Sequence, residues 1–301
     1  MIDPNEFKPP SAPDSTAKAY VYDDDVIRAV RVALATGRPL LLRGPPGCGK
    51  STLARDVARR LGANYYQEVV TSRTEARDLE WRFDAVRRLA EAQIPGSFET
   101  VKNAANYVEP RALWRGFDPD GAAAAGGKTQ DDAGVACLAD RPAVVLIDEI
   151  DKAEPEVAND LLEPFDVQRF TVAETGQVVE YRRDVVLIVT TNDERDLPAA
   201  FLRRCIVREL ARPSGVMLKR IARSHLGTEL EDPGVARMIA RIEELGEQAQ
   251  SLNLRAPGTA EFLDALRACR TIDTSSDPEW QAITRLALWK HTAAFEEKAD
   301  E

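Results

Sequence analysis

The chain has 301 residues, of which 44% are hydrophobic and 30% are charged, and these proportions are typical of a folded globular protein. Its formal net charge of −10 argues against direct binding of nucleic acid, because a general nucleic-acid binder needs a basic surface. The four cysteines are widely spaced, and the N-terminus lacks the basic start and apolar run of a signal peptide. We therefore expect a cytoplasmic protein without disulfides, a zinc cluster or a membrane span.

The first predicted elements lead into a glycine-rich segment. Residues 1–19 are rich in proline, serine and aspartate, which predicts a flexible arm. Residues 23–35 have a helical apolar pattern that begins with three aspartates and is followed closely by a glycine. An apolar strand at 40–42 and an amphipathic helix at 52–61 then enclose residues 44–51.

Residues 44–51 read Gly-Pro-Pro-Gly-Cys-Gly-Lys-Ser, which matches the G-x-x-x-x-G-K-[ST] pattern of a phosphate-binding loop. In such a loop, backbone N–H groups and the N-terminus of the next helix bind phosphate. Lys50 is expected to bind the β- and γ-phosphates, and the Ser51 hydroxyl is expected to bind Mg²⁺. A Gly/Pro turn without a ligand is the alternative, but the flanking strand and helix favour a nucleotide site. The residues expected to contact the nucleotide are Gly44, Pro45, Pro46, Gly47, Cys48, Gly49, Lys50, Ser51 and Thr52.

The middle of the chain is predicted to contain a strand, a charged helix and a long loop. Residues 65–70 are expected to form the strand, and residues 74–92 the helix. The candidate core residues of this helix are Trp81, Phe83 and Leu89. Residues 118–141 begin with an Ala/Gly-rich stretch and are expected to form a mobile surface loop.

Two further apolar runs, at 143–147 and 185–190, do not alternate with polar residues, which indicates parallel strands buried on both faces. The other elements predicted here are a helix at 155–167, a hairpin formed by 170–172 and 178–181, and a fifth strand at 205–210. Beyond Pro213 the pattern is helical. These elements predict a three-layer α/β fold of the P-loop NTPase type, with a parallel five-stranded sheet followed by a small all-helical domain. The nucleotide-binding domain is expected to span 20–211, and the helical domain 212–301.

Two acidic residues, Asp148 and Glu149, directly follow the strand at 143–147. Ligand sites of open α/β sheets lie outside the carboxyl ends of the strands, so both acids are expected in the ligand crevice. Asp148 is expected to hold Mg²⁺, and Glu149 to orient or deprotonate the water that attacks the γ-phosphate. The alternative interpretation is a strand followed by a solvated acidic turn.

Four other polar residues have both a functional and an ordinary interpretation. Asn192 follows the strand at 185–190, where its amide would either bond a γ-phosphate or the attacking water, or occupy a common turn position. Arg203 and Arg204 follow a helical stretch, and Arg255 lies in the helical domain. Taken alone, these arginines are more typical of a solvated surface.

The order of these motifs resembles that of AAA+ ATPases, and the details resemble the MoxR branch of that family. The resemblance covers about residues 20–270. Residues 110–114 (Pro-Arg-Ala-Leu-Trp) correspond to the family's Gly-Pro-Leu-like element, residues 150–153 (Ile-Asp-Lys-Ala) to its Ile-Asn-Arg-Ala, and residues 161–163 to its Leu-Leu-Glu. The departures from the family pattern are Asp151 for asparagine, Asp193 for proline, and Arg203-Arg204-Cys205 for Asp-Arg-Phe.

The resemblance implies ATP and Mg²⁺ as ligands. It also implies that Asn192 is the sensor-1 residue and that Arg255 is the sensor-2 arginine of the lid. Arg204 best matches the arginine finger that reaches the γ-phosphate of a neighbouring subunit, with Arg203 as the close rival, and such a finger implies a homo-oligomeric ring, most often a hexamer. MoxR-like ATPases resemble chaperones that remodel or activate a separate partner protein, often one with a von Willebrand factor A domain.

Three other functions fit parts of the pattern. The chain could be the ATPase or GTPase subunit of a nucleic-acid motor or restriction complex, a nucleotide-gated scaffold without catalysis, or a small-molecule kinase. Salt-sensitive stimulation by DNA would favour the first, and ATP-dependent assembly without phosphate release would favour the second. Glu149 and the helical lid favour hydrolysis over phosphotransfer to a small molecule.

Overall fold

The computed structural model divides into two compact units. The residues that it describes are 2–9, 20–96, 98–138, 140–229, 231–252, 254–272 and 277–289. The first unit consists of Met1–Pro9, Tyr22–Gly44 and Lys50–Glu209, and the second of Pro10–Val21, Pro45–Gly49 and Leu210–Glu301. The main division along the chain falls after Glu209.

The first unit alternates strands and helices, and the described part of the second unit contains helices and no strand. The strands are β1 (Leu40–Arg43), β2 (Asn64–Val69), β3 (Trp81–Phe83), β4 (Val108–Pro110), β5 (Ala143–Asp148), β6 (Arg169–Thr171), β7 (Val178–Glu180), β8 (Val185–Thr191) and β9 (Ile206–Glu209). The helices of the first unit are α1 (Asp24–Thr36), α2 (Lys50–Arg60), α3 (Ala85–Ala92), α4 (Phe98–Lys102), α5 (Ala112–Phe117), α6 (Pro119–Ala124), α7 (Pro155–Asp160), α8 (Glu163–Val167) and α9 (Ala199–Arg204). Those of the second unit are α10 (Gly215–Leu226), α11 (Pro233–Ser251), α12 (Thr259–Thr271) and α13 (Asp277–Leu288).

Five strands form one parallel sheet in the order β2-β5-β8-β1-β9, which confirms the predicted fold class. β5 and β8 are apolar and buried along nearly their whole length, as expected of central strands covered on both faces. The register pairs Leu41 with Val189, and Val145 with Leu187, so the carboxyl ends of these strands lie at one edge of the sheet. The residues that follow β1, β5 and β8 are therefore brought together.

Residues 74–92, predicted as one charged helix, contain a 3₁₀ turn, strand β3 and helix α3 instead. Trp81 is buried and stacks on Phe170 with ring centroids 5.8 Å apart, and its indole N–H donates to Glu174 at 2.7 Å. The short strand pairs with β4, and Asp84 then caps α3. Leu89 is 67% exposed, so its assignment to the core was wrong, because α3 buries none of its side chains.

Residues 155–167, predicted as one helix, form the two short helices α7 and α8. Pro164 lies in the first turn of α8, where it has no N–H to continue the hydrogen-bond ladder of α7. The hairpin that follows is confirmed, because β6 and β7 pair in antiparallel fashion.

The segment 118–141, expected to be a mobile surface loop, begins with helix α6 and then covers the outer strand β2. Asp131 is only 7% exposed, and its carboxylate accepts hydrogen bonds from the backbone N–H groups of Tyr65, Ala133 and Val135. The next residue, Asp132, accepts from the N–H of Gln67 at 2.9 Å. These two carboxylates occupy the hydrogen-bonding positions that a further strand would fill, which the Ala/Gly-rich composition did not indicate.

Part of the expected N-terminal arm is packed against the first unit. Phe7 is 1% exposed, and its ring meets that of Tyr22 edge-on at 5.7 Å. The backbone carbonyl of Phe7 accepts two hydrogen bonds from the guanidinium of Arg31. Residues 2–9 therefore do not form a free arm, while residues 10–19 lie outside the described part of the chain.

The second unit has its own apolar core. α11 contributes Met238 and Leu245, and α12 contributes Phe262, and all three side chains are buried. The buried residues of α11 recur at the helical period, which is the pattern that predicted an all-helical region here. None of the described helices in either unit is long and apolar enough to cross a bilayer.

Replacing Asp131 with alanine should destabilise the first unit, because it leaves three backbone N–H groups without their carboxylate acceptor. The expected loss is about 3 kcal/mol in the free energy of unfolding, measured by urea denaturation. Asp120→Ala, an exposed aspartate of α6, is the matched control and should change the free energy by less than about 0.5 kcal/mol. Equal effects of the two substitutions would contradict the structural role of Asp131.

Candidate active site

The predicted phosphate-binding loop joins β1 to α2, in the strand–loop–helix order that the motif requires. Gly47 and Gly49 have φ angles of 81° and 99°, in the left-handed region that favours glycine. Lys50, the first residue of α2, is only 6% exposed. Its ammonium group donates to the backbone carbonyl of Gly44 at 2.6 Å and to the side-chain oxygen of Asn192 at 2.7 Å.

Asp148, at the end of β5, is oriented by polar side chains from three other elements. The Ser51 hydroxyl of α2 donates to its carboxylate at 2.8 Å, and the Gln67 amide of β2 donates at 3.1 Å. The Thr190 hydroxyl of β8 donates to the other carboxylate oxygen at 2.5 Å. The same hydroxyl accepts the backbone N–H of Glu149 at 2.9 Å, so Thr190 fixes both acidic residues.

Glu149 has a left-handed backbone conformation, with a φ of 62°. Such a conformation is uncommon for a residue other than glycine and turns the chain sharply away from the strand. One carboxylate oxygen of Glu149 accepts from the Asn192 amide at 3.1 Å, and the other forms an ion pair with Lys152. Partial burial opposes ionisation, but the bonds from Lys152 and Asn192 and the charge of Lys50 outweigh it, so the pKa of Glu149 is lowered.

The five predicted residues Lys50, Ser51, Asp148, Glu149 and Asn192 thus lie in one hydrogen-bonded network. Asn192 connects its two charged ends, because its amide oxygen accepts from Lys50 and its amide nitrogen donates to Glu149. Both ends of the Asn192 amide are therefore hydrogen-bonded to charged side chains.

Arg203 and Arg204 do not join this network. Both are exposed at the end of α9, and Arg204 lies 3.3 Å from Asp166. The backbone at this position is held by Arg38, whose guanidinium donates to the carbonyls of Arg203, Arg204 and Cys205. The two side chains project from a fixed helix end toward solvent.

Arg255 and the loop residues Pro45–Gly49 belong to the second unit. Arg255 lies 3.8 Å from one carboxylate oxygen of Glu261, and the other oxygen accepts the N–H of Gly258. The backbone of Gly258 approaches that of Gly47 so closely that a Cβ on either glycine would lie 3.0 Å from the other's Cα. The N–H of Thr259 also donates to the carbonyl of Gly47 at 3.1 Å, which brings α12 against the loop segment Pro45–Gly49 of this unit.

A mostly apolar cavity opens beside this contact. Its lining residues include Pro46, Gly47, Leu218, Ile242 and Ala256. Of the other residues predicted to contact the nucleotide, Cys48 is buried and Thr52 is exposed on α2.

Sequence reasoning missed three residues of the network, namely Gln67, Thr190 and Lys152. Thr190 and Gln67 lie within predicted strands, where a hydroxyl or an amide has no distinctive spacing. Lys152 follows Glu149 by three residues, and this spacing in a helical turn could have indicated the ion pair between them.

The donor set beside Ser51 fits a small, hard cation. A hydroxyl and a carboxylate oxygen lie within 2.8 Å of each other and are the ligand types that Mg²⁺ prefers, with the rest of its shell supplied by water and phosphate. The charged groups are separated, with the acidic pair at the end of β5 and the Lys50 ammonium at the loop. Such a site can hold an anion and a divalent cation side by side.

Comparison with known proteins identifies the family. The AAA domain family, dynein-related subfamily, matches residues 39–205, which is more than half of the chain. A Lon protease of Magnetococcus marinus is 26% identical over 210 residues, covering 68% of this chain and 22% of that protein. A mutant form of Thermotoga maritima RuvB is 16% identical with a TM-score of 0.45, covering 89% of this chain and 75% of that one.

This chain spans about a fifth of the length of that curated relative. The family match contains the phosphate-binding loop, the acidic pair after β5, Asn192 and the two arginines of α9. The chain therefore belongs to the AAA domain family, in its dynein-related subfamily.

Proposed function

We propose that this AAA protein hydrolyses ATP with Mg²⁺ and, as MoxR-like AAA+ ATPases do, uses the reaction to remodel or activate a separate partner protein. The observation that carries the hydrolytic part is the amide of Asn192, which connects the phosphate-loop lysine to Glu149. A nucleotide-gated scaffold has no need for an ionised carboxylate held at this position.

The reaction requires a water molecule to attack the γ-phosphorus while the bond to the β-phosphate oxygen breaks. Glu149 would accept the proton of this water, because its pKa is not raised and it is therefore a carboxylate near neutral pH. Lys50 would exchange its contacts with Gly44 and Asn192 for phosphate oxygens. Mg²⁺, held by Ser51 and Asp148, would neutralise phosphate charge.

Release of Lys50 from Asn192 would change the hydrogen bonding of the Asn192 amide. Its oxygen would lose a donor and become available to the attacking water, while its nitrogen keeps the bond to Glu149. Asn192 would thereby place the water between itself and the base, which is the role we propose for it. The base and the amide act on the same water from two sides.

We further propose a homo-oligomeric ring, most simply a hexamer, in which Arg204 of one subunit acts on ATP bound to the next. Two observations support this arrangement: the arginine is exposed at the end of α9, and its backbone is fixed by Arg38. A fixed backbone at Arg204 favours this role, because less conformational entropy is lost when the guanidinium binds phosphate. Arg255, on the second unit, is proposed to bind the nucleotide in the same subunit.

The partner is proposed from motif order. Residues 110–114, 150–153 and 161–163 follow the MoxR pattern, and proteins of that branch often act with a partner bearing a von Willebrand factor A domain. A Glu149→Gln protein that retains ATP would hold such a partner longest and is the suitable bait for its isolation.

Replacing Glu149 with glutamine should lower ATP turnover at least about hundredfold, because the amide cannot accept a proton. Binding of ATP should remain within about threefold of wild type, since the phosphate loop is unchanged. Glu154→Gln is the matched control, as Glu154 is an exposed glutamate five residues away and should retain wild-type turnover. Steady-state phosphate release and equilibrium binding of a fluorescent ATP analogue measure the two effects. Equal turnover in wild type and Glu149→Gln would contradict the proposal.

Replacing Arg204 with alanine should lower turnover about hundredfold or more without weakening ATP binding, whereas Arg203→Ala should cost less than about tenfold. A mixture of Arg204→Ala and Glu149→Gln subunits provides the sharper test. Each is inactive alone, but the Glu149→Gln subunit supplies an intact arginine to the intact base of its neighbour, so phosphate release should reappear on mixing. No recovery in mixed oligomers would contradict action in trans.

A further inference from the structure

The carboxylate of Asp151 lies under the turn that carries Asn192. Asp151 is in the 3₁₀ turn Ile150–Lys152, two residues after Glu149, and is only 2% exposed. One of its oxygens, Oδ2, accepts the backbone N–H of Asn192 at 3.1 Å and that of Glu194 at 2.9 Å. The segment that follows the base is thus bonded directly to the segment that follows β8.

The turn held in this way is strained. Asp193, between the two bonded N–H groups, has a φ of 60°, a left-handed conformation that disfavours a residue with a side chain. Such a conformation persists where surrounding contacts hold it. Asp151 supplies two of these contacts, and the others are the bond from Asp193 N–H to the Thr191 hydroxyl and the ion pair of Asp193 with Arg43.

The direction of the Asn192 side chain depends on this turn. Its amide must meet Lys50 with one end and Glu149 with the other, at 2.7 Å and 3.1 Å. A rotation of the backbone at Asp193 would move both ends together. A buried acceptor for the N–H groups on either side of Asp193 resists that rotation.

We propose that Asp151 is a positioning residue for ATP hydrolysis, which holds Asn192 between the phosphate-loop lysine and Glu149. This inference rests on the proposed function. It gives a physical role to a residue that the sequence marked as a departure from the MoxR pattern, where asparagine is usual. Asparagine can retain the one oxygen acceptor that both N–H groups share.

The surroundings of the second carboxylate oxygen of Asp151 determine the result expected for Asp151→Asn. Oδ1 of Asp151 is buried and has no hydrogen-bond partner among the described residues. Asp151→Asn would place an unpartnered NH₂ group there while keeping the acceptor on the turn. It should therefore be somewhat less stable than wild type but keep the turn intact.

The first test is independent of catalysis and uses the nucleotide-free protein. In Asp151→Ala, hydrogen–deuterium exchange at the amides of Asn192 and Glu194 should be at least about tenfold faster, because both lose their acceptor. Asp151→Asn should stay within about threefold of wild type, as should Asp160→Ala, an exposed aspartate of α7. Unchanged exchange in Asp151→Ala would overturn the inference.

The second test is a double-mutant cycle in ATP turnover. Asp151→Ala should lower kcat about tenfold and leave KM for ATP within about twofold, and Asp151→Asn should restore most of the loss. If Asp151 acts through Asn192, the double variant Asp151→Ala/Asn192→Ala will have the same kcat as Asn192→Ala alone. If the kcat losses of the two single variants multiply in the double variant, Asp151 acts elsewhere and the inference is overturned.

The same cycle separates this inference from the proposed function. A normal kcat in Asp151→Ala beside a lowered kcat in Asn192→Ala would overturn the role of Asp151 and leave the proposed function standing. A normal kcat in Asn192→Ala would contradict the proposed function itself, and the inference would fall with it.

Discussion

Lys50 and Glu149 carry opposite charges at the two ends of one polar network, and the amide of Asn192 lies between them. An amide can accept at one end and donate at the other, so it satisfies both charged groups without neutralising either. A carboxylate or an ammonium at this position would repel one of its neighbours. Other contacts of the site hold this side chain and its partners in place. Thr190 bonds the acidic pair, and Asp151 bonds the turn that carries Asn192.

The parallel sheet makes this possible from distant parts of the sequence. β1, β5 and β8 are neighbours within one sheet, and each ends at the same edge, so residues more than a hundred positions apart meet there. The two acids after β5 occupy different surroundings as a result. Asp148 receives neutral donors from Ser51, Thr190 and Gln67, whereas Glu149 pairs with a lysine. The distinct surroundings are consistent with the separate roles that we propose for the two carboxylates.

Much of this arrangement could be predicted from the sequence because it depends on local patterns. The loop motif, the unalternating strands and the acidic pair are all local patterns, and they predicted the sheet and five side chains of the network. Long-range contacts have no such pattern. Nothing near Thr190 indicates that its hydroxyl bonds Asp148, and nothing in the Ala/Gly-rich run indicates that Asp131 reaches the backbone of Tyr65. Pro164 did carry a local signal for the break between α7 and α8, which the apolar pattern of 155–167 obscured.

The covering of β2 by Asp131 and Asp132 limits how this molecule can associate with others. A sheet with an open margin can accept an extended segment from another chain and grow without a defined end. Here the N–H groups of Tyr65 and Gln67 already bond carboxylates, and a visiting segment would have to displace two anions to reach them. Assembly at this margin by backbone pairing is therefore unfavourable.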